Sequence, residues 1–173
     1  PARELVRQLA TGHAVSGDAL ATQLGVTRAA IWKQIAALRT LGLPIEARSR
    51  AGYRMPWPTQ LLHTPSIISK LGTAPGATIH LHWELDSTQD ELARLLPDAP
   101  DLTVVLAEPQ PLARGRRSND WLSPPGLGIT LSCLKRFAGG PAVLSGLSIA
   151  MGVCVVQALT SAGVPGLQLK WPN

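Results

Sequence analysis

Three observations predict an α+β protein in two parts, a winged helix-turn-helix over residues 1–56 and a mixed-sheet domain over residues 57–173. Upstream of Pro56-Trp57-Pro58, short helical stretches separated by glycine lead into a basic hairpin. Downstream, runs rich in β-branched residues alternate with helical ones, the pattern of strands and helices in one domain. Charge divides at the same place. Residues 1–56 carry eight basic side chains (Arg3, Arg7, Arg28, Lys33, Arg39, Arg48, Arg50, Arg54) against Glu4, Asp18 and Glu46, a net +5, and the remainder sums to zero. A small basic module joined to a neutral one is expected when the first meets a polyanion and the second does something else.

Leu5, Val6, Leu9 and Ala10 share one helical face, and Thr11-Gly12 ends that helix. Ser16 caps a second helix, Gly17 to Leu24, and Gly25 supplies the tight turn that follows. Thr27 caps a third helix running to about Leu41, with Ile31, Ile35 and Leu38 as its apolar stripe and Arg28, Lys33 and Arg39 projecting elsewhere. Residues 45–55 then read as a hairpin with a basic tip, the wing. This arrangement nominates Arg28, Lys33, Arg48 and Arg50 as contacts to duplex DNA. Trp32, one step from the apolar stripe, suits either DNA or the edge of the core. Pro56, Pro58 and Pro65 make a stiff extended connection onward.

Beyond the linker the expected order is a short helix over 66–71, a strand over 78–85, a helix over 89–96 capped by Asp86-Ser87-Thr88, and a buried strand over 102–107. A basic loop at 111–119 and the Pro124-Pro125-Gly126 turn precede a strand over 127–134, a long neutral helix over 141–162 and a last strand over 167–171. Residues 142–162 carry no charge and match a bilayer in length, yet Ser145, Gly146, Ser148, Gln157, Thr160 and Ser161 dilute them, so the expectation is a buried helix and no membrane span. Cys133 and Cys154 lie in apolar runs and are expected as reduced, buried thiols of a cytoplasmic protein. His80 and His82 face one way on a strand, but no third ligand stands near, so no metal site is expected.

Four segments, taken in order, resemble the biotin protein ligase family: Asp86-Ser87-Thr88-Gln89, Glu108-Pro109-Gln110, Ala113-Arg114-Gly115-Arg116-Arg117-Ser118-Asn119-Asp120-Trp121, and Lys170-Trp171-Pro172-Asn173. With the basic N-terminal module, the whole chain is similar to the family's bifunctional ligase-repressor branch. The resemblance implies a class II synthetase-like ligase domain that activates biotin with ATP, accompanied by Mg2+, to biotinyl-5′-AMP. It then implies transfer of biotin to a lysine of a carboxylase's biotin carboxyl carrier domain, and an operator-binding homodimer that forms with the adenylate. Carried over to this chain, Ser87, Thr88, Gln89 and Gln110 meet the ureido ring. Arg114, Gly115 and Arg116 fold over biotin and the adenylate phosphate, and Lys170 sits beside the reacting carboxylate and α-phosphate.

The chemistry asks for these residue types independently. Adenylation brings two anions together, so fixed positive charge must wait where charge gathers in the transition state. Arginine forks bridge phosphate oxygens, and lysine acts as a point charge. A neutral, urea-like ring instead wants several donors and acceptors in an apolar pocket. Two rivals remain: a biotin-responsive transcription factor without catalysis, and a lipoate or octanoate ligase-like enzyme on the same fold. The family pattern continues after the Lys170 motif with an aspartate, a further strand, adenine-binding segments and a small β-barrel. The expectation is therefore a ligase domain incomplete on its C-terminal side, which binds biotin weakly or not at all and does not complete the reaction.

Overall fold

The computed structural model describes residues 2–72, 76–113 and 121–170. They form two compact units, Pro1–Lys135 and Arg136–Asn173.

The first unit opens on three helices, α1 (Ala2–Leu9), α2 (Gly17–Leu24) and α3 (Arg28–Thr40). The starts of α2 and α3 are set locally, because the hydroxyl of Ser16 accepts the amide of Ala19 and that of Thr27 accepts the amide of Ala30. Gly25 ends α2 in the left-handed region at φ 64°, which glycine enters without a Cβ penalty. Leu5, Val6, Leu9, Leu20, Ile31, Ile35 and Leu38 point inward and close on Leu43, Ile45 and Met55 to make one buried core. Trp32 stays outside it, 66% exposed. The guanidinium of Arg39 donates twice to the carbonyl of Ile45, at 2.9 and 2.7 Å, and so fixes how the chain leaves α3 for the wing.

The wing is an antiparallel pair, β1 (Glu46–Arg48) and β2 (Gly52–Arg54), in the register Glu46 to Arg54 and Arg48 to Gly52. Val15 and Tyr53 exchange backbone hydrogen bonds at 2.8 Å each, which ties the wing to the chain just ahead of α2. Downstream, the Thr59 amide donates to the carbonyl of Ala10 at 2.8 Å, and α4 (Thr64–Leu71) follows. It starts two residues before the expected Ser66, with Pro65 in its first turn, where a missing N–H costs nothing.

Next comes a three-stranded sheet in the order β3 (Thr78–His82), β4 (Thr103–Ala107), β5 (Thr130–Cys133). The β3–β4 pair is parallel and the β4–β5 pair antiparallel, so the sheet is mixed. Helix α5 (Thr88–Leu95) connects the parallel pair and packs on β4 and β5. The central strand carries the burial, with Thr103, Val105, Leu106 and Ala107 all enclosed. Strands expected over 78–85 and 127–134 are shorter, since backbone pairing stops where a neighbour stops.

In the second unit a 3-10 turn, Pro141–Leu144, is followed by α6 (Leu147–Ser161). Four expectations change there and at β5. The long helix is interrupted at Gly146, whose φ of 78° lies in the left-handed region. It is also exposed, with no residue of α6 buried. The stretch Pro141–Ser161 is apolar and long enough by composition to cross a membrane, yet the 15 continuous residues of α6 rise only about 22 Å against a hydrocarbon core of about 30 Å. Residues 167–170 form no strand, having no partner strand among the described residues. Cys133 and Cys154 are free thiols but exposed, Cys133 on the outward face of β5 beside exposed Leu131 and Cys154 on α6.

Candidate functional site

Two features of the first unit gather polar side chains. One is a groove of about 370 Å³ between the start of α2 and the wing, lined by Ser16, Asp18, Arg28, Arg48, Arg50 and Tyr53 among others. Arg28 points into it from the first turn of α3, paired to Asp18 only at 3.6 Å with both side chains about three-quarters exposed. Such a pair holds little energy, so the guanidinium is available to a phosphate. Arg50 occupies the wing tip at φ 64°, an uncommon conformation for a side chain with a Cβ. Lys33 is exposed on the same helix but outside the groove, since five residues turn α3 by about 140°. Three of the four expected DNA contacts are thus brought together, and one is not.

The wing carries its own electrostatic fastening. Arg54 Nε donates to the Glu46 carboxylate at 2.8 Å, and this hydrogen bond holds the carboxyl below the usual carboxylate range, with Arg48 at 3.6 Å adding to it. A carboxyl that titrates lower when folded contributes stability in full above its unfolded value, and that stability is lost as pH falls through the folded value. The half-exposed setting keeps the effect small and salt-sensitive. In an NMR titration Glu46 is expected to show a lower midpoint in the wild type than in Arg54→Gln. Equal midpoints would remove the fastening.

The second feature is an open cavity of about 690 Å³ at the N-terminus of α5, lined by Ser87, Thr88, Gln89, Gln110, Trp121 and Ser132 among others. Ser87 is the N-cap of α5, its hydroxyl accepting the Asp90 amide at 3.2 Å and keeping its own proton to donate. Buried Thr88 is held twice, its amide donating to Gln110 Oε1 at 2.6 Å and its hydroxyl meeting Ser132 Oγ at 3.0 Å. With that oxygen engaged, Gln110 keeps its amide nitrogen for whatever enters. Gln89 is exposed at the rim. Arg94, also lining the cavity, is paired with Glu91 at 2.7 Å. A small neutral ring with a carbonyl and N–H groups matches this mixture of hydroxyls and amides.

Ser132 and Thr130 were outside the expected site, although the alternation Thr130, Leu131, Ser132, Cys133 carried the signal that two small polar residues share one face of a strand. Glu108 entered the expected site only within the Glu108-Pro109-Gln110 segment, yet it is 5% exposed and its carboxylate accepts two backbone amides. Arg114, Gly115 and Arg116 lie outside the described residues. Lys170 is exposed in the second unit, past the end of α6. Among the described residues, no three His, Cys, Asp or Glu side chains are grouped to hold a metal ion.

A helix-turn-helix domain family matches residues 2–54, the whole of the three helices and the wing. Bifunctional ligase/repressor BirA of Escherichia coli is 35% identical over 170 residues, which is 98% of this chain and 52% of the relative. The chain is similar to these bifunctional ligase/repressors. Their counterpart in Bacillus subtilis is 34% identical over 161 residues, 92% of this chain and 50% of its own. A Paracoccus denitrificans protein named as a biotin ligase for acetyl-CoA carboxylase is 34% identical over 90 residues, 51% of this chain and 37% of its own. The chain spans about half the length of the ligase/repressors it matches. That match runs through the winged helix and the sheet with its cavity alike, so the likeness is not a property of the helix-turn-helix alone.

Proposed function

We propose that residues 1–56 are the operator-binding domain of a biotin repressor and residues 57–173 the biotin-recognising portion of a ligase domain. In this reading the protein works in the cytoplasm. Biotin lies in the cavity at the head of α5 with its ureido ring on Ser87, Thr88, Gln89 and Gln110. Arg114, Gly115 and Arg116 cover the phosphate side. ATP, entering with Mg2+ as its counter-ion, supplies the adenylyl group for biotinyl-5′-AMP, and Lys170 faces the α-phosphate. The acceptor is the biotin carboxyl carrier domain of a carboxylase, and the adenylate favours a homodimer that reads two operator half-sites. The observation that carries the reading is the convergence of Ser87 to Gln89 with Gln110 on one cavity, in a chain similar to ligase/repressors along almost its whole length.

Binding tests each half. In a chain extended to its relatives' length, titration with biotin followed by calorimetry is expected to give binding that Gln110→Ala weakens by about tenfold or more, because the Thr88 amide also loses its partner. Octanoate or lipoate competing as well as biotin would transfer the site to the other branch of the fold. For DNA, affinity should fall steeply with salt as phosphate neutralisation releases counterions. Arg28→Ala combined with Arg50→Ala should lower the salt slope by about two. Unchanged affinity for every duplex tested would remove the DNA assignment.

A further inference from the structure

We propose that Glu108 is a positioning residue that ties the linker behind the winged helix to the wall of the ligand cavity. Glu108 is 5% exposed, and no ion pair to it is found among the described residues. A carboxylate taken out of water without a cation is costly, and what compensates it here is a pair of charge-assisted hydrogen bonds. Oε1 accepts the amide of Leu62 in the linker at 2.5 Å, and Oε2 accepts the amide of Gly126 in the Pro124-Pro125-Gly126 turn at 2.7 Å. An apolar residue would fill the same space more cheaply but would join nothing.

Both ends of this strut reach further. On the linker side, the Thr59 amide is bonded to Ala10 at the end of α1, and Arg3 of α1 shares with Glu108 and His82 a void of about 10 Å³, no larger than one water. On the cavity side, the carbonyl of Glu108 accepts the Ser123 hydroxyl at 3.0 Å, which meets the hydroxyl of cavity-lining Thr130 at 2.8 Å. Two residues along, Gln110 holds the Thr88 amide at 2.6 Å. A shift of the linker at Leu62 is therefore transmitted to Thr88 and Thr130 through short, oriented bonds. The consequence for a bound ligand rests on the reading of the cavity as a biotin site; the tie itself does not.

The test is amide hydrogen exchange on the whole chain without ligand, comparing wild type with Glu108→Gln. The amide is isosteric, but one of its two ends is a donor and turns away one of the two backbone N–H groups. Exchange is expected to quicken about tenfold at Leu62, Gly126 and also Thr88, while Leu5 and Leu20 in the helical core keep their rates. Faster exchange at Leu62 and Gly126 with Thr88 unmoved overturns the proposal, as does no change at the first two. If Leu5 and Leu20 quicken as well, the variant has unfolded, and Leu62→Pro decides instead. That substitution deletes the linker's donor and leaves the carboxylate in place. Thr88 must quicken about tenfold there, and an unmoved Thr88 overturns the tie. Biotin added at saturation to the wild type extended to its relatives' length should slow exchange at Thr88 and, through Glu108, at Leu62. Protection of Thr88 without Leu62 overturns the tie, whereas protection of neither sinks only the biotin reading.

Discussion

Lys170→Ala, in a chain extended to its relatives' length, is expected to slow biotinyl-adenylate formation by about 10²–10³-fold while leaving biotin affinity nearly unchanged. The asymmetry follows from when the charge is needed. Biotin brings a single carboxylate that water can solvate in the free state, so an ammonium beside it adds little to ground-state binding. During attack on the α-phosphate, negative charge builds on oxygens held away from water, and a fixed cation there lowers the barrier without having to reorganise. Arginine at the same place would not substitute, because a broad planar fork cannot occupy the position of a compact point charge. Single-turnover pyrophosphate release measures the first quantity and calorimetry the second. Equal losses in rate and affinity would assign Lys170 to uniform binding, and a fully active variant would remove it from the site.

Gly52→Ala is the second change with a large expected effect, and it acts on the proposed DNA-binding module. Gly52 starts β2 at φ 99°, where an L side chain is already strained. A Cβ placed there would lie 2.1 Å from the carbonyl oxygen of Val15 and 2.6 Å from the Cα of Ser16, both backbone atoms that no rotamer change can move aside. The wing must therefore detach from the segment that caps α2, breaking the two Val15–Tyr53 hydrogen bonds and opening the groove that Arg28 and Arg50 share. Strain together with the broken bonds amounts to about 3 kcal/mol or more, a large part of what a small helical module has. Operator binding should be lost and the thermal midpoint of the N-terminal module should fall, while biotin binding by the chain extended to its relatives' length should persist. Wild-type DNA affinity in Gly52→Ala would mean that the wing does not need this seat.

The N-terminal module was legible because its determinants are local. Ser16 and Thr27 mark helix starts that the structure keeps to the residue, Gly25 marks the turn, and the stripe of Ile31, Ile35 and Leu38 is the buried face of α3. Capping and helical periodicity act within a few residues, so they survive translation from string to fold. The head of α5 was legible for the same reason, since Ser87 is both a cap and a cavity residue. Less legible was Ser132, which enters the site only because β5 pairs antiparallel with β4 and carries it to Thr88, 44 positions away in sequence.

What the sequence by itself determined was the order of helices and strands as far as β5, the segregation of positive charge into residues 1–56, and the chemical kinds of side chain offered to a ligand. Tertiary structure alone decided which of those side chains meet. It set Arg28 with the wing arginines but left Lys33 on another face, and it made Glu108 a buried joint between linker and sheet. The physical reason is that periodicity and capping are short-range quantities, whereas burial and hydrogen-bond partnership depend on which distant surface arrives to cover a residue or to share its proton.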